Sequence, residues 1–254
     1  MRKQRILSAI AAIFSVFIVC GGWLLTNALM DRQQFNLINT VRSVKVKESP
    51  EDNQDGEADR IILSTKEIAD ILKVWRNEKT GYYHDPVEGQ LTMEEAIKAA
   101  SSGLYYFCNK GVLPSQILEG DFNQTNAFLY DIQTTPTREG VEPAPRPAYS
   151  FWSVSLANQK IIVDLTLNAQ TGQIWMANIT STSDEINLNK ISAIDLLQKY
   201  ESYLSLSNGN HIESNENYAA SSYYNDLIGL VVYKKTSDYG NYNMIQFAIA
   251  STQK

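Results

Sequence analysis

The chain has 254 residues, with 22 basic and 28 acidic side chains and a net charge of −6 at pH 7. Nucleic-acid binding and peripheral docking on anionic lipid both need clustered positive charge, so this balance argues against both. Two cysteines, Cys20 and Cys108, and two histidines, His84 and His211, cannot supply a thiolate zinc cluster or a CxxC redox pair.

The N-terminal segment is predicted to be a membrane anchor. Three basic residues within the first five precede an uncharged run of 25 residues, Ile6 to Met30. About 20 helical residues cross a hydrocarbon core, and basic flanks stay cytoplasmic. We therefore predict a cytoplasmic tail at 1–5 and an uncleaved single-pass signal anchor at 6–30. The C-terminal domain is then expected outside the cell membrane.

Two other interpretations of this segment remain open. A cleaved secretory signal has a shorter apolar region, of roughly 7–15 residues, and a small-x-small cleavage site. Thr26-Asn27-Ala28 matches such a site poorly. A lipoprotein signal ending at Cys20 suits the position of that cysteine, but Val19 stands where these signals usually carry a small residue.

Residues 31–60 are predicted to be an acidic, flexible linker. Glu48 to Asp59 holds six acidic residues and no basic one. Such a segment cannot bury apolar surface, and its like charges repel one another. With the three N-terminal basic residues removed, 19 basic and 28 acidic residues remain after the anchor, a net charge of −9.

Two helices are predicted next. Ser64 and Glu67 have the capping-box spacing, and apolar residues follow them at helical intervals, which predicts a helix that ends before Gly81. Thr92 and Glu95 repeat the box. The apolar stripe of the second helix is expected to comprise Met93, Ala96, Ile97, Ala100, Leu104, Phe107 and Cys108. A thiol on that stripe should be buried and unreactive.

Four strands are predicted after the second helix. The alternating apolar positions are Phe128, Tyr130 and Ile132; Trp152, Val154 and Leu156; Ile161, Val163, Leu165 and Leu167; and Trp175, Ala177 and Ile179. The last two strands meet at a turn carrying Gly172, where a positive φ is tolerated. We expect Gly172 to fix the strand register and Asn168 to contribute much less to stability. A helix on this meander makes an α+β roll.

The pattern partly recurs toward the C-terminus. Ser192 and Asp195 stand at capping distance before a helix, and strand patterns follow around 218–224, 227–235 and 242–251. The fold class is therefore predicted as α+β, a transmembrane helix followed by one or two helix-on-antiparallel-sheet modules. The first module is placed at 61–182. The second, at 183–254, is expected to be shorter by one strand.

Residues 91–180 resemble the PepSY-like domains of bacterial envelope proteins, which have a cystatin-like roll. The resemblance is carried by Glu94-Glu95-Ala96-Ile97, by the strand from Tyr149 to Leu156, and by the turn from Asn168 to Ile174. The family usually has Asp where Asn168 stands. The resemblance implies an extracytoplasmic, non-enzymatic module, tied in some relatives to inhibiting or regulating peptidases or cell-wall machinery.

Motifs for chemistry are sparse in this sequence. It contains no HExxH, GxSxG, GxxxxGK or GxGxxG. His84-Asp85 precedes a proline and is interpreted as a turn, because Asp-Pro favours turn initiation. The acidic pairs Glu94-Glu95 and Asp184-Glu185 suit a helix start and a loop. We predict no enzyme, and no catalytic, cofactor or metal site.

Tyrosine is over-represented, with 14 residues and adjacent pairs such as Tyr223-Tyr224. Neighbours in a strand face opposite ways, so only one of these two can enter a core, and the other would be available for peptide or glycan stacking.

The predicted function is a membrane-anchored, extracytoplasmic, non-catalytic interaction or regulatory module of the bacterial envelope. It would modulate a peptidase or cell-wall machinery, with an envelope protein or peptide as partner and no nucleic acid. The alternative is a structural NTF2-like or VirB8-like subunit of an envelope or secretion assembly.

Overall fold

A computed structural model describes residues 62–77, 82–119, 122–132, 146–236 and 242–252. The predicted anchor and linker lie outside these ranges. Among the described residues, no helix is both long enough and apolar enough to cross a membrane.

The described part of the chain is α+β, with three α-helices and one antiparallel sheet of nine strands. The helices are α1 (Thr65–Asn77), α2 (Met93–Asn109) and α3 (Ala193–Tyr203). The strands are β1 (Tyr82–Tyr83), β2 (Gln124–Asp131), β3 (Ser150–Ala157), β4 (Ile161–Asn168), β5 (Ile174–Ser181), β6 (Asn210–Asn215), β7 (Tyr218–Tyr223), β8 (Ile228–Thr236) and β9 (Asn243–Ser251).

The sheet is built from two meanders joined through their last strands. Its order is β1-β2-β3-β4-β5-β9-β8-β7-β6. We call α2 with β2–β5 the first half, and α3 with β6–β9 the second half. The halves meet where β5 pairs with β9, with Ala177 opposite Phe247 and Ile179 opposite Ile245. The sheet therefore runs without a break through both predicted modules.

The number of strands was predicted correctly in the first half and wrongly in the second. In β2, Phe128 from the predicted apolar set is 39% exposed, whereas Leu129 is buried. The antiparallel meander β2–β5 is confirmed. The second half also has four strands, so the prediction that it is shorter by one was wrong. Strand β6, with the sequence NHIESN, was missed because it shows no apolar alternation. It lies at the edge of the sheet and has little to bury.

Helix α2 begins at the predicted capping box. The Thr92 hydroxyl accepts a hydrogen bond from the Glu95 amide at 3.3 Å, and the Glu95 carboxylate accepts one from the Thr92 amide at 2.8 Å. The bond from the Thr92 amide and a second one from the Thr92 hydroxyl, at 2.9 Å, lower the pKa of the Glu95 carboxyl. The buried stripe is narrower than predicted, since Met93 is exposed at the first turn. It consists of Ala96, Ala100, Gly103, Leu104 and Phe107.

Helices α2 and α3 cover the same face of the sheet, here called the covered face. The ring of Phe247 lies 5.0 Å from the ring of Phe107 on α2 and 5.0 Å from the ring of Tyr200 on α3. The Trp152 indole on β3 donates to the carbonyl of Leu91, just before α2, at 3.0 Å. The core therefore continues across the junction of the two halves.

Helix α1 packs on the opposite face. Trp75 stacks on Phe151 with 4.6 Å between the rings and lies 5.8 Å from Trp175. Phe151 adjoins Trp152 in β3, so the two side chains point to opposite faces. The sequence alternation grouped Trp175 with Ala177, but a β-bulge makes Trp175 an extra residue in β5, since Leu167 pairs with Ile174 and Thr166 with Met176.

The turn between β4 and β5 is held by Asn168, and its contacts argue against the expectation that this residue contributes much less to stability than Gly172. Its side chain is fully buried. The side-chain oxygen accepts from the amides of Gln170 and Thr171 at 3.1 Å each, and the side-chain nitrogen donates to the Ala148 carbonyl at 2.8 Å. Gly172 has the expected positive φ, 69°. A Cβ added to Gly172 would lie 3.0 Å from the Cβ of Ala99 on α2.

The turn between β7 and β8 is built differently. Tyr224, Asn225 and Asp226 have φ values of 52°, 54° and 60°, and none of them is glycine. The Ser222 hydroxyl donates to the Asp226 carboxylate at 2.5 Å across the turn. Left-handed conformations cost non-glycine residues energy, so this turn holds backbone strain.

A buried lysine ties the second half to the segment before α3. Lys234 in β8 is buried, and its amine donates to the carbonyls of Asn189 and Ile191 at 3.0 and 2.7 Å. Burying an ammonium group requires such hydrogen-bond partners. The lysine thus holds the segment that leads into α3 against the sheet.

Candidate interaction surface

One face of the sheet lies opposite α2 and α3, and α1 covers part of it. The rest of this face carries a continuous line of paired polar residues. We call this surface the open face and the line the polar row. Each member lies directly opposite the next in the strand pairing. In order across eight strands, the polar row is Asn126, Ser155, Asp164, Asn178, Gln246, Tyr233, Tyr218 and Asn215.

The polar row carries amide and hydroxyl groups and a single formal charge. Ser155, Asn178 and Gln246 are half-buried, while Asp164 and Tyr233 are exposed. The Ser155 hydroxyl donates to the Asp164 carboxylate at 2.6 Å. A solvated sheet face is expected to be polar, and the polar row itself holds one charged residue, Asp164, while exposed Lys235 stands on the same face two residues beyond Tyr233.

Partly exposed apolar side chains lie in the polar row or beside it. Phe128, Ile162 and Tyr233 are 39%, 41% and 40% exposed. Phe128 also meets the edge of the Tyr83 ring, with 5.9 Å between centroids. The open face therefore combines aromatic and aliphatic contacts with hydrogen-bonding groups, as interaction surfaces do.

Sequence reasoning missed the polar row. Ser155, Asp164, Asn178 and Gln246 stand between the apolar positions of predicted strands, so alternation assigns them to a face. Asn215 lies in β6, which was not predicted, and Asn126 shares the alternation of Phe128 in the predicted apolar set. The alignment of the polar row depends on the register of β5 against β9, whose residues are about 70 positions apart. No local pattern fixes a pairing over that distance.

The two histidines lie apart in the chain, and His84 belongs to a polar cluster at the β1 edge. His211 lies in β6 and not in the loop that its polar surroundings suggested. The Ser150 hydroxyl accepts from the Gln90 amide at 2.7 Å, donates to the Asp131 carboxylate at 3.2 Å and lies 3.5 Å from Nε2 of His84. Nδ1 of His84 donates to the Asp85 carbonyl at 2.7 Å.

This cluster differs from a Ser-His-Asp triad. In a triad the histidine lies between the serine and the carboxylate, whereas here Ser150 lies between His84 and Asp131. Ser150 is fully buried, so a substrate cannot reach its hydroxyl. The cluster connects β2, β3 and the loop after β1, and it holds the edge of the sheet together.

Local packing and hydrogen bonds account for the other residues that the sequence pointed to. Cys108 is half-buried and donates to the Pro114 carbonyl at 3.4 Å, and burial raises the pKa of its thiol to about 12. Tyr223 is buried and Tyr224 is exposed, as predicted for that pair. Asp184 and Glu185 lie in a turn, where Glu185 pairs with Lys160.

A cleft of about 370 Å³ opens at the end of the sheet near the β3–β4 turn. Its lining is mainly amide and charged: Gln116, Glu119, Asn123, Asn158, Gln159, Lys160, Glu185 and Ile186. The Lys160–Glu185 ion pair is part of this lining. The cleft has no aromatic side chain in its lining, whereas the open face carries the exposed rings of Phe128 and Tyr233, so the open face is the better candidate surface.

Among the described residues, no three histidine, cysteine, aspartate or glutamate side chains lie close enough to hold a metal ion. Comparison with known proteins found no matching family, no similar curated protein and no similar solved structure.

Proposed function

We propose that this protein is a membrane-anchored, non-catalytic interaction module on the outer side of a bacterial cell membrane, built from PepSY-like halves. It binds an envelope partner through the open face and so modulates a peptidase or cell-wall machinery. The anchor at 6–30 holds it at the membrane, and the acidic linker at 31–60 sets its reach.

One observation carries this proposal, the unequal coverage of the two sides of the sheet. Two helices bury the covered face, whereas on the other side α1 alone packs, over Phe151 and Trp175 and against part of β8 and β9. Ser155 stands four residues beyond Phe151 along β3, about 13 Å away at the usual strand rise. The open face offers a surface formed by both halves and placed away from the polar cluster at Ser150.

The non-catalytic part of the proposal is supported by how the reactive groups are used. Ser150 and Asp131 are buried in mutual hydrogen bonds at the sheet edge. The raised pKa of Cys108 keeps its thiol protonated at neutral pH. Neither arrangement presents an activated nucleophile to solvent.

The test is site-specific photocrosslinking in intact cells. A photoreactive phenylalanine at position 233 should give a discrete crosslinked product, because Tyr233 stands at the exposed centre of the open face. The matched control is position 212, since Ile212 is also exposed but lies on the edge strand β6, outside the polar row.

Equal crosslinking at both positions, or none at 233, would contradict the proposal. A product with one envelope enzyme supports the regulatory role, whereas incorporation into a large stoichiometric complex supports the alternative of an assembly subunit. In the same cells, protease added outside should digest the domain after the anchor. Full protection would contradict the proposed orientation.

A further inference from the structure

Five central members of the polar row form a compact platform. Ser155, Asp164, Asn178, Gln246 and Tyr233 lie on adjacent strands in consecutive direct pairs. Strands are about 4.8 Å apart, so the platform is about 19 Å long. A sheet twists by about 20–25° per strand, so neighbouring side chains of the platform differ in direction by about that angle and its two ends by about 80–100°.

The functional groups on the platform suit a ligand that both donates and accepts hydrogen bonds. The amides of Asn178 and Gln246 provide both roles, as does the Ser155 hydroxyl, while the Asp164 carboxylate only accepts. The Tyr233 ring, 40% exposed, offers a flat apolar surface at one end. Sugar hydroxyls donate and accept, and a pyranose ring has an apolar face.

The charge on the platform restricts the ligand further. Asp164 is its only formally charged side chain. A polyanion would meet this carboxylate without any basic partner on the platform. A polycation would find only one charge to pair with. An uncharged polymer matches the platform best.

Peptides are less well matched to this surface. An extended peptide usually adds to an exposed strand edge. At one edge of this sheet β1 has only two residues, and at the other β6 carries an irregularity between His211 and Glu213. Short and irregular edges resist strand addition. The open face instead presents side chains in a line across the strands.

We propose that the platform binds a neutral, extended oligosaccharide that lies across the strands. Its hydroxyl groups bond to Asn178, Gln246 and Asp164, and one sugar ring packs on Tyr233. The strand spacing is comparable with the length of one pyranose ring in a β-linked chain, so successive sugars meet successive strands. This inference rests on the proposed function, because it names the ligand class of the same open face.

The experiment measures oligosaccharide binding by the full chain in lipid nanodiscs, with calorimetry or saturation-transfer NMR. The probes are the uncharged tetramer of N-acetylglucosamine and a tetramer of galacturonic acid as an anionic comparison. We expect the neutral probe to bind and the anionic probe to bind at least about fivefold more weakly, the factor for roughly 1 kcal/mol of unfavourable charge.

Two variants locate the site. Asn178→Ala and Gln246→Ala should each weaken binding of the neutral probe about fivefold, the usual effect of one hydrogen bond. Asn215→Ala is the matched control, an amide at the far end of the polar row, and should change binding less than about twofold.

Binding that is absent up to about 10 mM neutral probe would overturn the inference. So would equal binding of both probes, or equal loss in all three variants. Absence of sugar binding together with a protein crosslink at position 233 would reject the oligosaccharide and leave the interaction module standing. Absence of both would reject the proposed function as well.

Discussion

The two halves of the sheet share an order of elements but differ in how their tight turns are made. In the first half, the turn between β4 and β5 uses a buried amide and a glycine, Asn168 and Gly172. In the second half, the turn between β7 and β8 uses Tyr224, Asn225 and Asp226, all with positive φ and none of them glycine. The first turn satisfies its backbone, whereas the second one is strained.

The surroundings of each turn explain the difference. The first turn packs against α2, where a Cβ at position 172 would come within 3.2 Å of Leu91 and 3.0 Å of Ala99. The second turn is exposed at all three of its positive-φ residues. A buried turn leaves no room for side chains and no water for its amides, while an exposed turn has both. Similar topology therefore does not require similar turn chemistry.

The largest expected effect comes from the buried amide of the first half. Asn168→Ala leaves the amides of Gln170 and Thr171 and the carbonyl of Ala148 without their partner. We expect it to lower the free energy of unfolding by about 2–4 kcal/mol, because buried groups lose hydrogen bonds. Chemical unfolding of the full chain in detergent, followed by tryptophan fluorescence, measures this.

The control for Asn168 is Asn178→Ala, on the half-exposed open face. It should change the free energy of unfolding by less than about 0.5 kcal/mol. An unchanged midpoint for Asn168→Ala would show that the first turn does not depend on its buried amide, and the contrast between the halves would fail.

The next effect separates backbone strain from helix contact. Gly172→Ala should destabilise the chain by roughly 1–3 kcal/mol, since the new methyl group adds a positive-φ penalty and a close contact with α2. Gly111→Ala is the matched control, because its φ is 71° and nothing lies within 4 Å of its added Cβ. The two variants are compared in the same unfolding assay. A Gly172→Ala cost no greater than that of Gly111→Ala would remove the contact with α2 from the explanation.

The smallest effect concerns the strained turn of the second half. Tyr224→Asn should stabilise the chain by about 0.5 kcal/mol, because asparagine tolerates the left-handed region better than a bulky side chain. Tyr233→Asn removes a tyrosine of similar exposure from a strand and should not stabilise. The measurement is the unfolding midpoint of each variant. Destabilisation by both substitutions would mean that the Tyr224 ring contributes more than its backbone conformation costs.

Local signals predicted much of the fold. Capping residues located α2 and α3, since Thr92 and Ser192 accept from the amides of Glu95 and Asp195. Alternation located β3, β4 and most of β5. These features depend on neighbours a few residues apart, so a single sequence contains them.

The rest of the fold depends on contacts between residues that are far apart in the chain. The pairing of β5 with β9, and the position of α1 on the opposite face, involve partners far apart in the chain. The bulge at Trp175 follows from its packing with Trp75 and Phe151, which no alternation shows. The polar row could not be predicted either, because its alignment depends on the pairing of strands that are far apart in the chain.

The central position of β9 has a consequence for how the sheet is assembled. It is the last of the described strands in chain order, yet it joins β5 to β8 in the middle of the sheet. Until β9 emerges, β5 and β8 each present an open edge, a known hazard for aggregation. Closing a pairing between such distant segments is also slow. Newly made chains would then pass through a state of two separate meanders, whose facing edges stay unpaired until β9 inserts between them.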